Sequence, residues 1–203
     1  MNLNEYKVVF VVATIALILV GASPAISAFI SFPNNKNQFS ELWVLGPARV
    51  MDNYPLEVNT NTDYPIFLGV GNNMHSSSYY MINVKFRNQT QSAPDSLGST
   101  PSSLPALYQY MVFVGNEQTW ETNFTLRIID LYTYGNSTLL REVSFNGQAF
   151  SVNCPAVWDS QNGGFYFQVF FELWRYNVTA RNFQYENQSV WIWLKVNPIS
   201  PTI

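Results

Sequence analysis

Between Glu41 and Val196 apolar and polar residues alternate with a period of two in short runs, and no amphipathic helical period interrupts them. Successive side chains of a strand point to opposite faces, so this pattern restricts the chain to sheets with one buried face. Tyr80, Ile82, Val84 and Phe86 share one face of SYYMINVKF, and Phe165, Phe167, Val169, Phe171 and Leu173 share one face of GFYFQVFFELW. Val190, Ile192, Leu194 and Val196 align in the same way. Further strands are predicted at Leu42–Leu45, Leu56–Val58, Pro65–Gly71, Tyr108–Val114, Asn123–Tyr132 and Leu139–Phe145. Turn residues separate them at Asn72-Asn73, Gly115-Asn116, Gly135-Asn136, Asn146-Gly147 and Asn162-Gly163-Gly164. Seven to nine short strands so divided predict an all-β, immunoglobulin-like β-sandwich over residues 41–197, without the paired cysteines of antibody domains. Ser92–Pro105, rich in Ser and Pro, is expected to be a mobile surface loop.

Ahead of this domain, Val8 to Phe32 contains no charged residue, and about 25 residues at 1.5 Å rise span a hydrocarbon layer of roughly 30 Å. The segment is expected to be a single N-terminal transmembrane helix, with membrane lipid as its partner. A cleaved secretory signal is the alternative, because small residues run from Gly21 to Ala28; apolar Phe29, Ile30 and Phe32 after them favour a retained anchor. Residues 1–7 then form a cytoplasmic tail, 33–40 a polar spacer and 198–203 a C-terminal tail. Either reading places the domain outside the cell membrane, as a single-pass protein with its C-terminal domain extracytoplasmic. Asn-x-Ser/Thr acceptors at Asn88, Asn123, Asn136, Asn177 and Asn187 make the chain a candidate glycoprotein.

Composition agrees with an exported surface. Only 11% of residues are charged, roughly half the usual fraction, and the net charge is −3. Basic residues are scattered singly, with no stripe to neutralise consecutive phosphates, so nucleic acid is not an expected partner. With Cys154 as the sole cysteine no intramolecular disulfide can form, and that thiol is expected to be a buried apolar group.

The order Glu41-Leu42-Trp43-Val44-Leu45-Gly46-Pro47, then Asn53-Tyr54-Pro55, then Gly69-Val70-Gly71-Asn72 resembles the exported domain of a largely archaeal membrane-protein family, domain of unknown function 1616. The resemblance extends through Trp120-Glu121 to Phe165–Trp174 and Trp191–Val196 and covers about the last 165 residues. It implies a transmembrane helix running directly into a β-domain. Many members carry several such helices where this chain has one, and Phe145–Gly164 looks like an insertion. No established activity comes with the resemblance. Physically, Gly46-Pro47 ends a strand, since proline lacks an amide hydrogen, and Tyr54-Pro55 restarts the chain extended.

Few residues suit catalysis. His75 is the only histidine and sits in an Asn/Ser-rich turn, so a nucleophilic triad would have to be built around it. One His and one Cys do not supply a zinc or copper site, and no cofactor is expected. Asn59, Asn61 and Asp63 place oxygens at alternate positions and form a weak calcium candidate. Glu121, Asp130 and Glu172 lie in or beside predicted strands, where the expectation is that they face solvent.

Aromatic residues form the remaining signal. Trp191 and Trp193 oppose Ile192 and Leu194, while Tyr166, Phe170, Trp174 and Tyr176 share the second face of the preceding strand. A sheet with one solvated face does not need this. The expected explanation is a central strand pair covered by the Phe145–Gly164 insertion, with partner contact and stacking of sugar rings as alternatives. The expected function is non-enzymatic protein–protein contact by a membrane-anchored cell-envelope protein, with another envelope protein or a second copy as partner. A glycan- or ligand-binding module is the alternative, and an extracytoplasmic hydrolase ranks last.

Overall fold

The computed structural model describes residues 38–196. The expected transmembrane run 8–32, the tails 1–7 and 198–203 and most of the spacer lie outside the described residues. Among the described residues no helix is long and apolar enough to cross a membrane.

Ten strands follow in chain order: β1 Phe39–Leu45, β2 Glu57–Val58, β3 Tyr64–Asn73, β4 Ser78–Asn88 and β5 Tyr108–Val114, then β6 Gln118–Tyr134, β7 Ser137–Phe145, β8 Gln148–Val157, β9 Phe165–Asn177 and β10 Asn182–Val196. They build two five-stranded sheets, ordered β1-β3-β6-β7-β8 and β2-β10-β9-β4-β5. All pairings are antiparallel except β2 with β10. The core lies between the sheets: Ile66, Leu68, Phe124, Leu126, Ile128 and Phe145 of the first meet Tyr80, Ile82, Phe165, Phe167, Phe171 and Leu194 of the second. Those of the second sheet are residues that the alternation assigns inward. Fully burying one such side chain stabilises the fold by about 1.5–3 kcal/mol relative to leaving it exposed.

Two regions depart from expectation. Phe145–Gly164 is no cover for β9 and β10: its Gln148–Val157 part is β8, the outer strand of the other sheet. Asn146-Gly147, with φ of 52° and 81°, makes the two-residue turn that reverses β7 into β8. Pro155 is tolerated there because the far side of an edge strand needs no ladder donors. The cover over the second sheet is instead the Ser/Pro-rich segment between β4 and β5, expected to be a mobile loop.

Candidate functional site

β1 is an edge strand of the first sheet, and β2 pairs only with Lys195 and Val196 of β10. From Ser189 to Trp193 the outer edge of β10 therefore has no neighbouring strand among the described residues. Gln188 Nε2 donates to the Ser40 carbonyl and Ser40 Oγ donates to Glu186 Oε2 at 3.1 Å, so β1 and β10 are tied together at one end. At the other end the segment leading into β2 bridges them, because Tyr54 Oη donates to the Val44 carbonyl of β1 and the Leu56 carbonyl accepts from Lys195 N of β10. Between the ties lies a groove of about 520 Å³ lined by Leu42, Trp43, Val44, Met51, Tyr54, Leu56 and Ser189–Trp193. That volume is within the usual range of ligand sites, and the lining is mainly apolar.

The Leu-Gly-Pro and Asn-Tyr-Pro motifs build one wall. Gly46 N donates to the Val50 carbonyl at 2.9 Å, and a Cβ on Gly46 would come within 1.9 Å of the Asp52 carbonyl, so the loop closes only on glycine. Tyr54 Oη donates to the Val44 carbonyl at 2.9 Å and fastens the returning chain to β1. The Trp43 indole lies across Gly69, where a Cβ would meet it at 2.3 Å. Asn72 ends the motif inside the protein: its Nδ2 donates to the carbonyls of Ser76, Val114 and Gly115, and its Oδ1 accepts from Met74 N and Tyr80 Oη.

The outer face of the second sheet is divided. Over its middle lies the segment 89–107, hereafter the strap, fixed by a ring of charge. Lys85 Nζ is 2.8 Å from Glu172 Oε2 and donates to the Ser102 carbonyl at 2.7 Å; Ser102 N donates to Glu172 Oε1 at 2.7 Å. The two side chains are 5% and 0% exposed. Glu172, expected to face solvent, is thus an interior ion-pair partner. Arg87 bonds both Gln168 Oε1 and the Gln91 carbonyl, and Asn187 Nδ2 reaches the Ser96 carbonyl, so the strap is tied across β4, β9 and β10.

The aromatic candidates separate accordingly. Trp191, 56% exposed, and Trp193 both line the groove, and Arg87 lies over the Trp193 ring at 5.1 Å. Phe170 is fully buried, and Tyr166 Oη donates to the Asn162 carbonyl at 2.9 Å. Trp174 packs on Tyr185 at 5.6 Å, beyond the strap.

Asp63 gives both carboxylate oxygens to Arg127 at 2.6 Å, and that hydrogen bonding holds its pKa below the ordinary value. Asn59 and Asn61 use their backbone amides to bond Tyr64 Oη and the Ile128 carbonyl. Among the described residues no three His, Cys, Asp or Glu side chains cluster as metal ligands. Glu121 pairs with Arg49 at 2.9 Å and Asp130 with Arg141 at 3.6 Å, both on the sheet opposite Glu172, and none of the three lines the groove. His75 is exposed in the β3–β4 loop. Of the five acceptor asparagines, Asn88 is interior: Nδ2 donates to the Pro155 carbonyl and Oδ1 accepts from Thr90 and Gln91. Asn123, Asn136 and Asn187 are exposed and Asn177 half-buried. Cys154 is buried, and desolvation raises its thiol pKa to about 11.

The geometry defines an all-β, two-sheet domain with an apolar groove at its open edge. The family described as domain of unknown function (DUF1616) matches residues 33–137, just over half of the chain, and the chain belongs to that family. No curated protein matches. Among solved structures, a beta-glucosidase from Listeria innocua in complex with glucose aligns with 78% of this chain at 11% identity and a TM-score of 0.37. The same enzyme in complex with gluconolactone aligns with 78% at 10% identity and 0.34; in both cases the chain spans 16% of that protein. The PapD-like domain 7 of human CEP192 aligns with 78% of this chain and 84% of its own length at 7% identity and a TM-score of 0.30.

Proposed function

We propose that this chain is a non-enzymatic contact module of the cell envelope: an immunoglobulin-like sandwich held on the outer side of the cell membrane by residues 8–32 as a single span. The groove between β1 and β10 takes an extended apolar segment of another envelope protein. The observation that supports this reading is the combination, in one place, of an apolar lining and an unpaired strand edge from Ser189 to Trp193. An added strand would satisfy its backbone groups on β10 and set alternate side chains among Trp43, Met51, Leu56 and Trp191. The uncharged run 8–32 supports the anchor.

Native mass spectrometry of the tagged protein from its own membranes is the test, with a photo-crosslinker at Met51, which lines the groove at 84% exposure. The expected result is a stoichiometric partner crosslinked at Met51 but not at Leu97, and lost at least tenfold from Trp191→Ala/Trp193→Ala. Recovery as a free monomer with no crosslink would defeat the reading. Exposure of Trp191 beside Trp193 favours glycan stacking as the second reading; saturable binding of oligosaccharide that the same double substitution abolishes would replace the first with it.

A further inference from the structure

Beyond the strap, the outer face of the second sheet carries two cross-strand rows with no charged residue. Backbone pairing sets Phe113 beside Tyr79 and Tyr176 beside Phe183, with Met111, Met81, Trp174 and Tyr185 in the next row. The Tyr79 and Phe183 rings lie 5.5 Å apart and Tyr176 and Phe183 5.4 Å, so the first row is continuous across β5, β4, β9 and β10. Phe113 is 70% exposed and Met111 55%, and Val178 in the adjoining β9–β10 turn is 80% exposed. An apolar surface that is open on β4, β5 and the β9–β10 turn and half-buried along β9 and β10 is a contact surface.

Its position identifies the occupant. Phe39, the first residue of β1, pairs with Asn73, and Ser40 Oγ is 2.9 Å from Tyr80 Oη, so the chain reaches the domain at the end of the sheets where this platform lies. Only residues 33–38 separate Phe39 from the uncharged run 8–32. Seven Cα steps reach at most about 25 Å. Tyr suits a bilayer interface, with an apolar ring and a polar edge, while Phe and Met supply area to bury in its outer acyl region.

We propose that this platform rests on the surface of the membrane to which the chain is anchored, so that the domain lies against the lipid with the β1–β10 groove presented beside it. The occupant is lipid, not a second protein. The proposal rests on the reading of residues 8–32 as a membrane span.

The full chain is reconstituted in phosphatidylcholine vesicles containing one part in five phosphatidylglycerol, in three forms, Phe113→Cys, Val178→Cys and Tyr134→Cys. Each cysteine carries a nitrobenzoxadiazole label. Cys154 is buried with its thiol raised to about 11, so the introduced cysteines are the ones that react. Phe113, Val178 and Tyr134 are all exposed, which spares the core, and Tyr134 lies at the far end of β6. Headgroup- and shallow-chain spin-labelled lipids are expected to quench the labels at 113 and 178 at least fivefold more than the label at 134. Equal quenching of all three in chains that float with the vesicles overturns the platform and leaves the span intact. A label at 113 shielded from aqueous iodide but untouched by lipid spin labels puts a second copy there and also overturns it. Chains that fail to float refute the span and, with it, the proposal.

Discussion

Glu172 and Lys85 are the costliest side chains in the described domain to take out of water, and each is tolerable only beside the other. Glu172→Gln or Lys85→Met, which strands the remaining charge, is expected to destabilise the fold by about 3–5 kcal/mol in chemical denaturation of the full chain in detergent. Lys85→Met/Glu172→Leu together should recover most of that loss, because no charge is left buried. Cys154 gives a second residue-level test. Its thiol is pushed up to about 11 and is expected to resist thiol reagents at pH 8 until the domain unfolds. A pKa raised by folding means that the native state holds the proton more tightly. Its contribution is complete below the unfolded value of about 9 and is lost as pH rises towards 11. Burial raises the pKa of Tyr80, Tyr110 and Tyr185 in the same direction, so stability followed by fluorescence should fall on the alkaline side, above about pH 9. Asn88 has its side chain committed on both atoms, so peptide mapping of the native protein should find any glycan on the other four acceptors.

At the scale of the element, the strap and the groove wall make separate predictions. A Ser- and Pro-rich segment is ordinarily open to proteases, yet Ser92–Pro105 should resist limited digestion in the native chain and become cleavable in Glu172→Gln. Gly69→Ala drives a methyl into the Trp43 indole and should cost about 1–3 kcal/mol while shifting the tryptophan emission. These elements also show what is legible in a sequence. Faces of β4, β9 and β10 follow from local alternation, and the inward residues are those that the pattern names. β8 obeys the same alternation through Phe150, Val152, Cys154 and Ala156, but Asn153 and Pro155 mask it. The first half of β10 is hidden similarly, because a bulge between Tyr185 and Gln188 breaks its period. The strap's anchors are not local at all: Lys85 and Glu172 stand 17 and 70 residues from Ser102. Of the aromatic candidates Trp191 and Trp193 do meet in one groove, whose opposite wall comes from residues more than a hundred positions earlier.

For the molecule as a whole, two surfaces of different chemistry lie on one domain: a groove at the sheet edge and a platform at the end where the chain arrives. Lengthening the spacer 33–38 by some twenty Gly/Ser residues should leave partner capture at Met51 intact in isolated protein and reduce lipid quenching at 113 only modestly, since the platform carries its own affinity. Under the strap the protein owns a second interior, built from an ion pair and amides instead of hydrocarbon. The two interiors respond differently to heat. Hydrocarbon burial levels off as temperature rises, whereas removing charges from water becomes less costly. The variant that swaps the pair for Met and Leu should therefore come nearest to the natural chain in the cold and fall further behind it on warming, making the clasp a device whose relative worth grows with temperature.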